Sequence, residues 1–447
     1  MSTRPREEES AGVPEGARQA EEAERERRER WGWVEPVVWT ERMLAALEEG
    51  VKGGKWFSLM DKVYAERTLR AAWERVERKH GAAGVDRVSV EAFAAHADGY
   101  LAELARDLGA GTYRPRSVRR VWIPKPGRAE KRPLGIPTVK DRVVQTAVLL
   151  VLEPIWEAEF AEQSYGFRPR RGCKDALRRV VEKLEGGATW VVEVDLKSYF
   201  ESIPHEELMK EVERRVADGG VLKLLRAYLN QQVMEGLEAW QPDGGTPQGA
   251  VISPLLANIY LDPLDKQMAG EGYPMVRYAD DMVVLCRTEV EAEAALEELR
   301  GWVAAHGLAL HPEKTRVVDA SQVGGFDFLG YHFERGMRWA SQRSVQKFRT
   351  AIRAKTRRTS GESLATIVAE VNRVSRGWFE YFKHSHCTTF RRLDGWVRMR
   401  LRSILRRRRH GKGRGRGADH QRWPNAYFAE QGVFTMTAAL VVARQSR

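Results

Sequence analysis

The chain has 447 residues, with 74 Lys and Arg against 62 Asp and Glu, a formal net charge of +12. That length allows two or three domains and a core that needs no covalent staples. A hydrophobic share of 43% excludes wholesale disorder, and three scattered cysteines (Cys173, Cys286, Cys387) exclude a disulfide framework or a C-x-x-C zinc site. No apolar run reaches about 18 residues and the Glu/Arg-rich N-terminus has no signal-peptide core, so a cytoplasmic protein with no membrane partner is expected. The charge is uneven. Residues 341–447 carry 25 Lys and Arg against 6 Asp and Glu, a net of +19, which leaves −7 on the first 340 residues. A basic C-terminal quarter on a mildly acidic body points to a module that holds a polyanion.

Residues 1–30 contain nine Glu and seven Arg and are expected to form a disordered charged tail. Apolar residues begin at Trp31, and Trp56–Met60 is expected to be the first packed segment. Helices are expected at 65–79 and 90–108, the second stopped by Gly109 and Gly111. Residues 121–127 and 132–137 suit two short extended segments around a basic turn, because their prolines exclude helix and permit only an edge strand. A long apolar helix follows from 142 to about 160. The β-branched run Trp190–Asp195 fits a buried strand. Ser253 and Pro254 look like an N-cap and first turn. Two apolar runs, 276–278 and 282–285, flank Ala279-Asp280-Asp281 in the pattern of a β-hairpin. An amphipathic helix should cover 290–305. Beyond 341 the chain becomes helical and basic. The Arg/Gly run from 406 to 417 is expected to be loose, before apolar residues return at Trp423, Tyr427, Phe428 and Phe434 and dock the end.

Asp280 and Asp281 sit at the tip of an apolar hairpin, and Asp195 closes another apolar strand. Carboxylates at strand ends suit Mg²⁺, which prefers hard oxygen ligands completed by substrate phosphates. Two such ions stabilise the attacking and leaving oxygens of an in-line phosphoryl displacement. A solvated Asp-Asp turn is the plain alternative.

Tyr278-Ala279-Asp280-Asp281 resembles the signature hairpin of reverse transcriptases. Asp195-x-x-x-x-Phe200 is similar to its partner motif, and Gly245-Thr246-Pro247-Gln248-Gly249 with Ser253–Asn258 resembles the loop and helix beside the template–primer. Further blocks agree in order: 81–86, 113–115, 123–126, 132–137, 164–169, 328–331, and Asn372 with Gly377–Phe382. The resemblance is to bacterial group II intron reverse transcriptases, or maturases, and covers roughly residues 39–435. It implies an α+β fold: a right-hand polymerase with fingers, an antiparallel palm sheet, and a helical basic thumb called domain X. The implied domains are an N-terminal extension with the start of the fingers (31–112), fingers with the start of the palm (113–190), palm (191–338), thumb (339–410) and a basic tail (411–447).

The resemblance also implies roles. Asp195, Asp280 and Asp281, with the Leu196 carbonyl, would bind two Mg²⁺ ions, Mn²⁺ being a substitute. Arg119, Lys125, Arg132, Gln248 and Gly249 would contact the incoming dNTP, and Phe200 would exclude a 2′-hydroxyl. Tyr278, Lys314, Arg373, Arg376, Lys383, Arg391 and Arg392 would contact RNA or template–primer. The implied partners are the host group II intron RNA, an RNA template with a DNA primer, target DNA and dNTPs, with the oligomeric state open. The implied function is copying intron RNA into cDNA while assisting splicing and mobility. A splicing cofactor with an idle polymerase, and a reverse transcriptase repurposed for defence or diversity generation, are the alternatives. Only 30 residues, without cysteine, follow the Arg/Gly run, so the endonuclease of many relatives is expected to be absent. Glu201 stands where many relatives carry Asp. His384, His386 and Cys387 lack a fourth zinc ligand.

Overall fold

A computed structural model describes residue 22 and residues 25–124, 131–236, 238–415 and 417–445. Most of the charged N-terminal stretch lies outside them. Where it is described, from residue 25, the chain is helical, and Arg27 pairs with Glu48 at 2.8 Å while Trp31 is buried. The end of that stretch is therefore docked rather than disordered: i,i+4-spaced charges on a helix can pair with a neighbour even where little apolar area is available.

The N-terminal region is helical, with α1 (Glu66–Glu77) and α2 (Ala97–Gly109). The expected helix at 90–108 is two, because a short turn of helix at Val90–Ala94 ends before His96. They pack around α3 (Val139–Glu157), whose apolar residues cover most of its circumference, so it is buried as a core helix should be. Thr138 caps it by accepting from the Asp141 amide.

Strands β1 (Val118–Pro124) and β2 (Lys131–Ile136) pair antiparallel. β4 (Val233–Glu235) and β5 (Glu238–Trp240) complete their sheet in the order β2-β1-β4-β5, with Pro133 on the edge strand. The palm sheet has the order β6-β7-β3-β8, from β3 (Trp190–Asp195), β6 (Met275–Tyr278), β7 (Asp281–Cys286) and β8 (Arg316–Asp319). Helices α4 (Cys173–Glu185), α5 (Ser253–Gly270) and α6 (Glu289–Ala305) pack against it. A third sheet, β9 (Phe326–Phe328), β10 (Tyr331–Glu334) and β11 (Met337–Ala340), joins palm to thumb through the rings of Phe326, Tyr331 and Phe382. These three- and four-residue strands are too short to show a period in the sequence.

The thumb is built from α7 (Gln342–Lys355), α8 (Leu364–Phe382) and α9 (Cys387–Arg408) around a separate core. Two corrections concern its end. Where it is described, the Arg/Gly run is packed rather than loose: α9 continues to Arg408, Arg406 pairs with Asp419 at 2.6 Å, and a Cβ on Gly415 would lie 2.8 Å from Arg402 Cβ. The residues after it are not a tail. Trp423, Phe428, Val433, Met436 and Leu440 complete the thumb core, ending in α10 (Met436–Gln445). Buried Asp394 of α9 accepts from the amides of Met436 (3.0 Å) and Thr437 (2.9 Å), and Asn372 bonds the backbone of Gly432 and Phe434 at 2.7 Å each.

Candidate active site

The tip of the β6–β7 hairpin is a two-residue turn. Tyr278 pairs with Asp281, leaving Ala279 and Asp280 as the loop, and only Ala279 has positive φ (+60°), the pattern of a II′ turn. A non-glycine residue held there needs outside support. It comes from Arg277, wholly buried, whose Nη1 donates to the Ala279 carbonyl (3.0 Å) and to Asn258 Oδ1 (2.9 Å). Its Nε and Nη2 grip Asp265, also wholly buried, the Nε at 2.8 Å. Burial works against the Arg277 charge and Asp265 outweighs it, so the guanidinium stays above its ordinary value. Sequence reasoning missed this lock. Its signal was an arginine inside an otherwise apolar strand.

Gly166 closes the tip from the other side. Its carbonyl accepts from Asn258 Nδ2 (2.8 Å), and a Cβ there would overlap Ala279 N and lie 2.8 Å from Tyr278 C. Gly166→Ala is expected to keep the fold yet slow primer extension about 100-fold, since a shift of about 1 Å in a reacting group has that effect. Thermal melting and a primer-extension rate check it; an unchanged rate refutes this role for Gly166.

Asp195 stands directly opposite Asp281 in the β3–β7 register, which places their Cβ atoms about 5 Å apart. The Asp195 backbone is fixed by Thr315 Oγ1 (3.3 Å) and by the His311 amide (2.8 Å). Leu196, next in the chain, bridges to Leu310. Burial, with Asp195 as a like-charged neighbour, pushes Asp280 above its usual range, against the pull of Arg132. Asp281 is reachable by solvent but enclosed by protein, as on a cleft floor. Burial, Asp280 and Asp195 push it up to about 6, opposed by Arg343 and Lys314. Among the described residues no three ligand groups converge tightly enough to hold a metal ion. Asp195 is instead paired with Lys314 Nζ, at 2.9 and 3.0 Å. Two carboxylates pushed up by burial and by like-charged neighbours, beside a third that has drawn in a cation, still suit a divalent cation.

The other sequence-predicted residues divide. Phe200 is half-buried beside this cleft, and Arg132 is exposed on β2 and felt by Asp280. Arg119 is not free for a nucleotide as expected: its Nε (3.1 Å) and Nη2 (2.6 Å) both donate to the Ala83 carbonyl. Lys125 lies outside the described residues. Gln248 and Gly249 join fingers to palm. The Gln248 carbonyl accepts from Gly135 N (2.6 Å), and Gly249, at φ +106°, has room for no Cβ beside the Gly135 carbonyl, 2.5 Å away. Ser253 is not the N-cap, which is Ile252; its hydroxyl donates to the Pro247 carbonyl and ties α5 to that loop. Tyr278 is engaged by the protein itself: a hydrogen bond with the Cys173 thiol, aided by burial, pushes its phenol up to about 12. Lys314, expected near the primer, is paired with Asp195.

Residues 123–333 match the family model for reverse transcriptase (RNA-dependent DNA polymerase), and residues 345–423 match that for the group II intron maturase-specific domain. Protein YkfC of Escherichia coli is 36% identical over 291 residues, 56% of this chain and 76% of that protein. The chain belongs to the group II intron reverse transcriptase/maturase family. The group II intron-encoded protein LtrA of Lactococcus lactis is 41% identical over 174 residues, 38% of this chain and 29% of LtrA. A putative COX1/OXI3 intron 1 protein of Saccharomyces cerevisiae is 25% identical over 370 residues, 68% of this chain and 43% of that protein. The fold is thus that of a reverse transcriptase fingers and palm followed by a helical maturase domain, and the family uses a divalent metal. No helix among the described residues is long and apolar enough to cross a membrane.

Within the maturase domain, the predicted cations are unequal. Arg373 is paired with Glu370 (2.6 Å), Lys383 with Glu380 (3.0 Å), and Arg376 lies over the Phe434 ring, while Arg391 and Arg392 are exposed. A denser cluster lies elsewhere: Arg349 and Arg353 flank Trp396, and Arg400 is pushed down by burial and by Arg358, Arg353 and Arg414. A guanidinium pushed down by three others marks a place where positive charge is gathered.

Proposed function

We propose that this reverse transcriptase copies its host intron RNA into cDNA from a DNA primer at the Asp195/Asp280/Asp281 cleft, while its thumb grips intron RNA. The supporting observation is the register pairing of Asp195 with Asp281 beside a turn locked from behind by Arg277. Two Mg²⁺ ions, or Mn²⁺ in their place, held by the three aspartates and the Leu196 carbonyl would neutralise phosphate charge and activate the primer 3′-hydroxyl. The protein's own share is positional. Arg132 brings a bidentate cation to the cleft from the fingers. Lys314 balances Asp195 before substrate arrives. The Gly135–Gly249 contact, where neither residue has a side chain, brings fingers backbone against the Gln248 loop beside an incoming dNTP. Phe200 is suited to exclude a 2′-hydroxyl. Asp280→Ala is expected to reduce extension of a DNA primer on an RNA template, with dNTPs and Mg²⁺, by about 1,000-fold or more. Equal extension by both proteins would sink the assignment.

The Arg349/Arg353/Arg400 cluster around Trp396 is suited to RNA phosphates, with splicing assistance and mobility on target DNA as the setting. Replacing Arg349 and Arg353 with Gln should weaken binding to intron RNA and flatten the log-affinity against log-salt slope by about 2, one for each lost phosphate contact. Filter binding from low to high salt measures it. An unchanged slope would assign the RNA to another face, such as that of Arg391 and Arg392.

A further inference from the structure

We propose that Phe167 is a positioning residue for sugar selection: its ring braces Phe200, so that Phe200 stays under the sugar and rejects a 2′-hydroxyl. The proposal deepens, and rests on, the reading of Phe200 as the sugar gate.

Phe167 breaks two ordinary rules at once. It is a bulky non-glycine residue at φ +58°, and its ring is 50% exposed. A core aromatic would be buried, and a surface loop would place glycine or asparagine at that φ. Such strain persists only where the surroundings over-determine the backbone. Here they do. The Tyr165 amide donates to the Arg277 carbonyl (2.8 Å), and Gly166 is wedged against the catalytic turn and bonded by Asn258. On the other side Arg168 is buried, with Nε and Nη2 on Glu157 at 2.8 Å each and Nη1 on the carbonyls of Ala161 (2.6 Å) and Ser164 (2.9 Å). Phe167 is therefore held between two anchored neighbours, one of them touching the Ala279-Asp280 turn.

Its ring meets Phe200 edge-to-face, with centroids 6.3 Å apart and planes at 81°. Phe200 also meets Tyr199, at 5.5 Å and 64°, which is immobilised by burial and by its hydroxyl on the Ala257 carbonyl (2.6 Å). Phe200 thus touches a fixed ring and a ring carried on strained backbone. Its backbone is fixed as well, because its carbonyl accepts from the Thr246 amide (2.6 Å). Of these two rings Tyr199 is buried and Phe167 is half exposed, so Phe167 is the contact that the core does not already hold.

The test is single-nucleotide incorporation opposite an RNA template, comparing the efficiency of each dNTP with that of its rNTP. Phe167→Ala is expected to lower the dNTP preference by about 3- to 10-fold, the fold-change an aromatic pair carries. Phe167→Tyr, which keeps the ring, should retain the preference. Phe200→Ala should lower it further, and adding Phe167→Ala to that variant should change nothing more, because residues acting through one another are not additive. If Phe167→Ala fails to fold, Phe167→Leu carries the same expectation. Equal slowing of dNTP and rNTP by Phe167→Ala, or effects on the preference that multiply in the double variant, would overturn the proposal while leaving the gate intact. An unchanged preference in Phe200→Ala, or no cDNA from the unmodified protein, would overturn the gate and this proposal together.

Discussion

Asp281→Asn should raise the melting temperature of the protein in a chelator at pH 7.5 by a few degrees while abolishing primer extension. The carboxyl is pushed from 3.8 to about 6 in the folded protein, chiefly by burial and then by Asp280 and Asp195. A raised acid pKa means that the folded state holds the proton more tightly than the unfolded state. Ionised Asp281 therefore weakens folding. The penalty is absent below the unfolded value, grows as pH rises from about 4 to about 6, and stays constant above that. Asparagine keeps the shape and removes the charge, so the melting curves of the two proteins should coincide near pH 4 and separate by pH 6. Because the carboxyl is partly solvated, the gap is smaller than a fully buried shift would give. Saturating Mg²⁺ should then stabilise the unmodified protein by mass action and leave the variant nearly unmoved. Coincident melting at pH 7.5 in chelator would remove the electrostatic basis for a cation at this site.

The same carboxylates show what could be read from the sequence and what could not. Asp195, Asp280 and Asp281 were legible because strand and turn signals surround them closely, and the short hairpin fixes its own register. The long helix, expected at 142 to about 160 and found at 139–157, and strands β3, β6 and β7 were legible from compact apolar runs, whereas β8 was not. Arg277 was not. A buried charge reveals itself only through its partners, and Asp265 and Asn258 lie on a helix that no local pattern links to the hairpin. Lys314 was placed near the primer by its motif, whereas its ammonium lies on Asp195, 119 residues away. Arg119 looked like a free cation, because a single carbonyl from a distant loop leaves no trace in composition. The end of the chain was legible as apolar but not in its destination. Asp394 and Asn372, which fix that destination, each bond backbone amides, and backbone carries no sequence signal.

Removing Asp265 should cost more stability than any other single change proposed for this protein. Asp265→Ala leaves the Arg277 guanidinium wholly buried without its paired carboxylate, a loss of about 3–5 kcal/mol. The expected result is a protein that melts well below the unmodified one, or that is recovered unfolded. The double variant Asp265→Leu/Arg277→Met separates what the pair does for stability from what it does for chemistry. Apolar replacements of similar volume remove both buried charges together, so most of the lost stability should return. Activity should not. The Ala279 carbonyl and Asn258 Oδ1 lose the donor that holds the positive-φ turn, and Asp280 and Asp281 lose their fixed bearing. Primer extension by the double variant should stay at least about tenfold below that of the unmodified protein at equal folded concentration, the effect of losing one charge-assisted bond of about 1.5 kcal/mol or more. Melting curves and single-turnover extension on the same preparations measure both halves. Full recovery of extension in a refolded double variant would show that the buried pair only stabilises the palm, and that Gly166 and the strand register aim the catalytic turn without it.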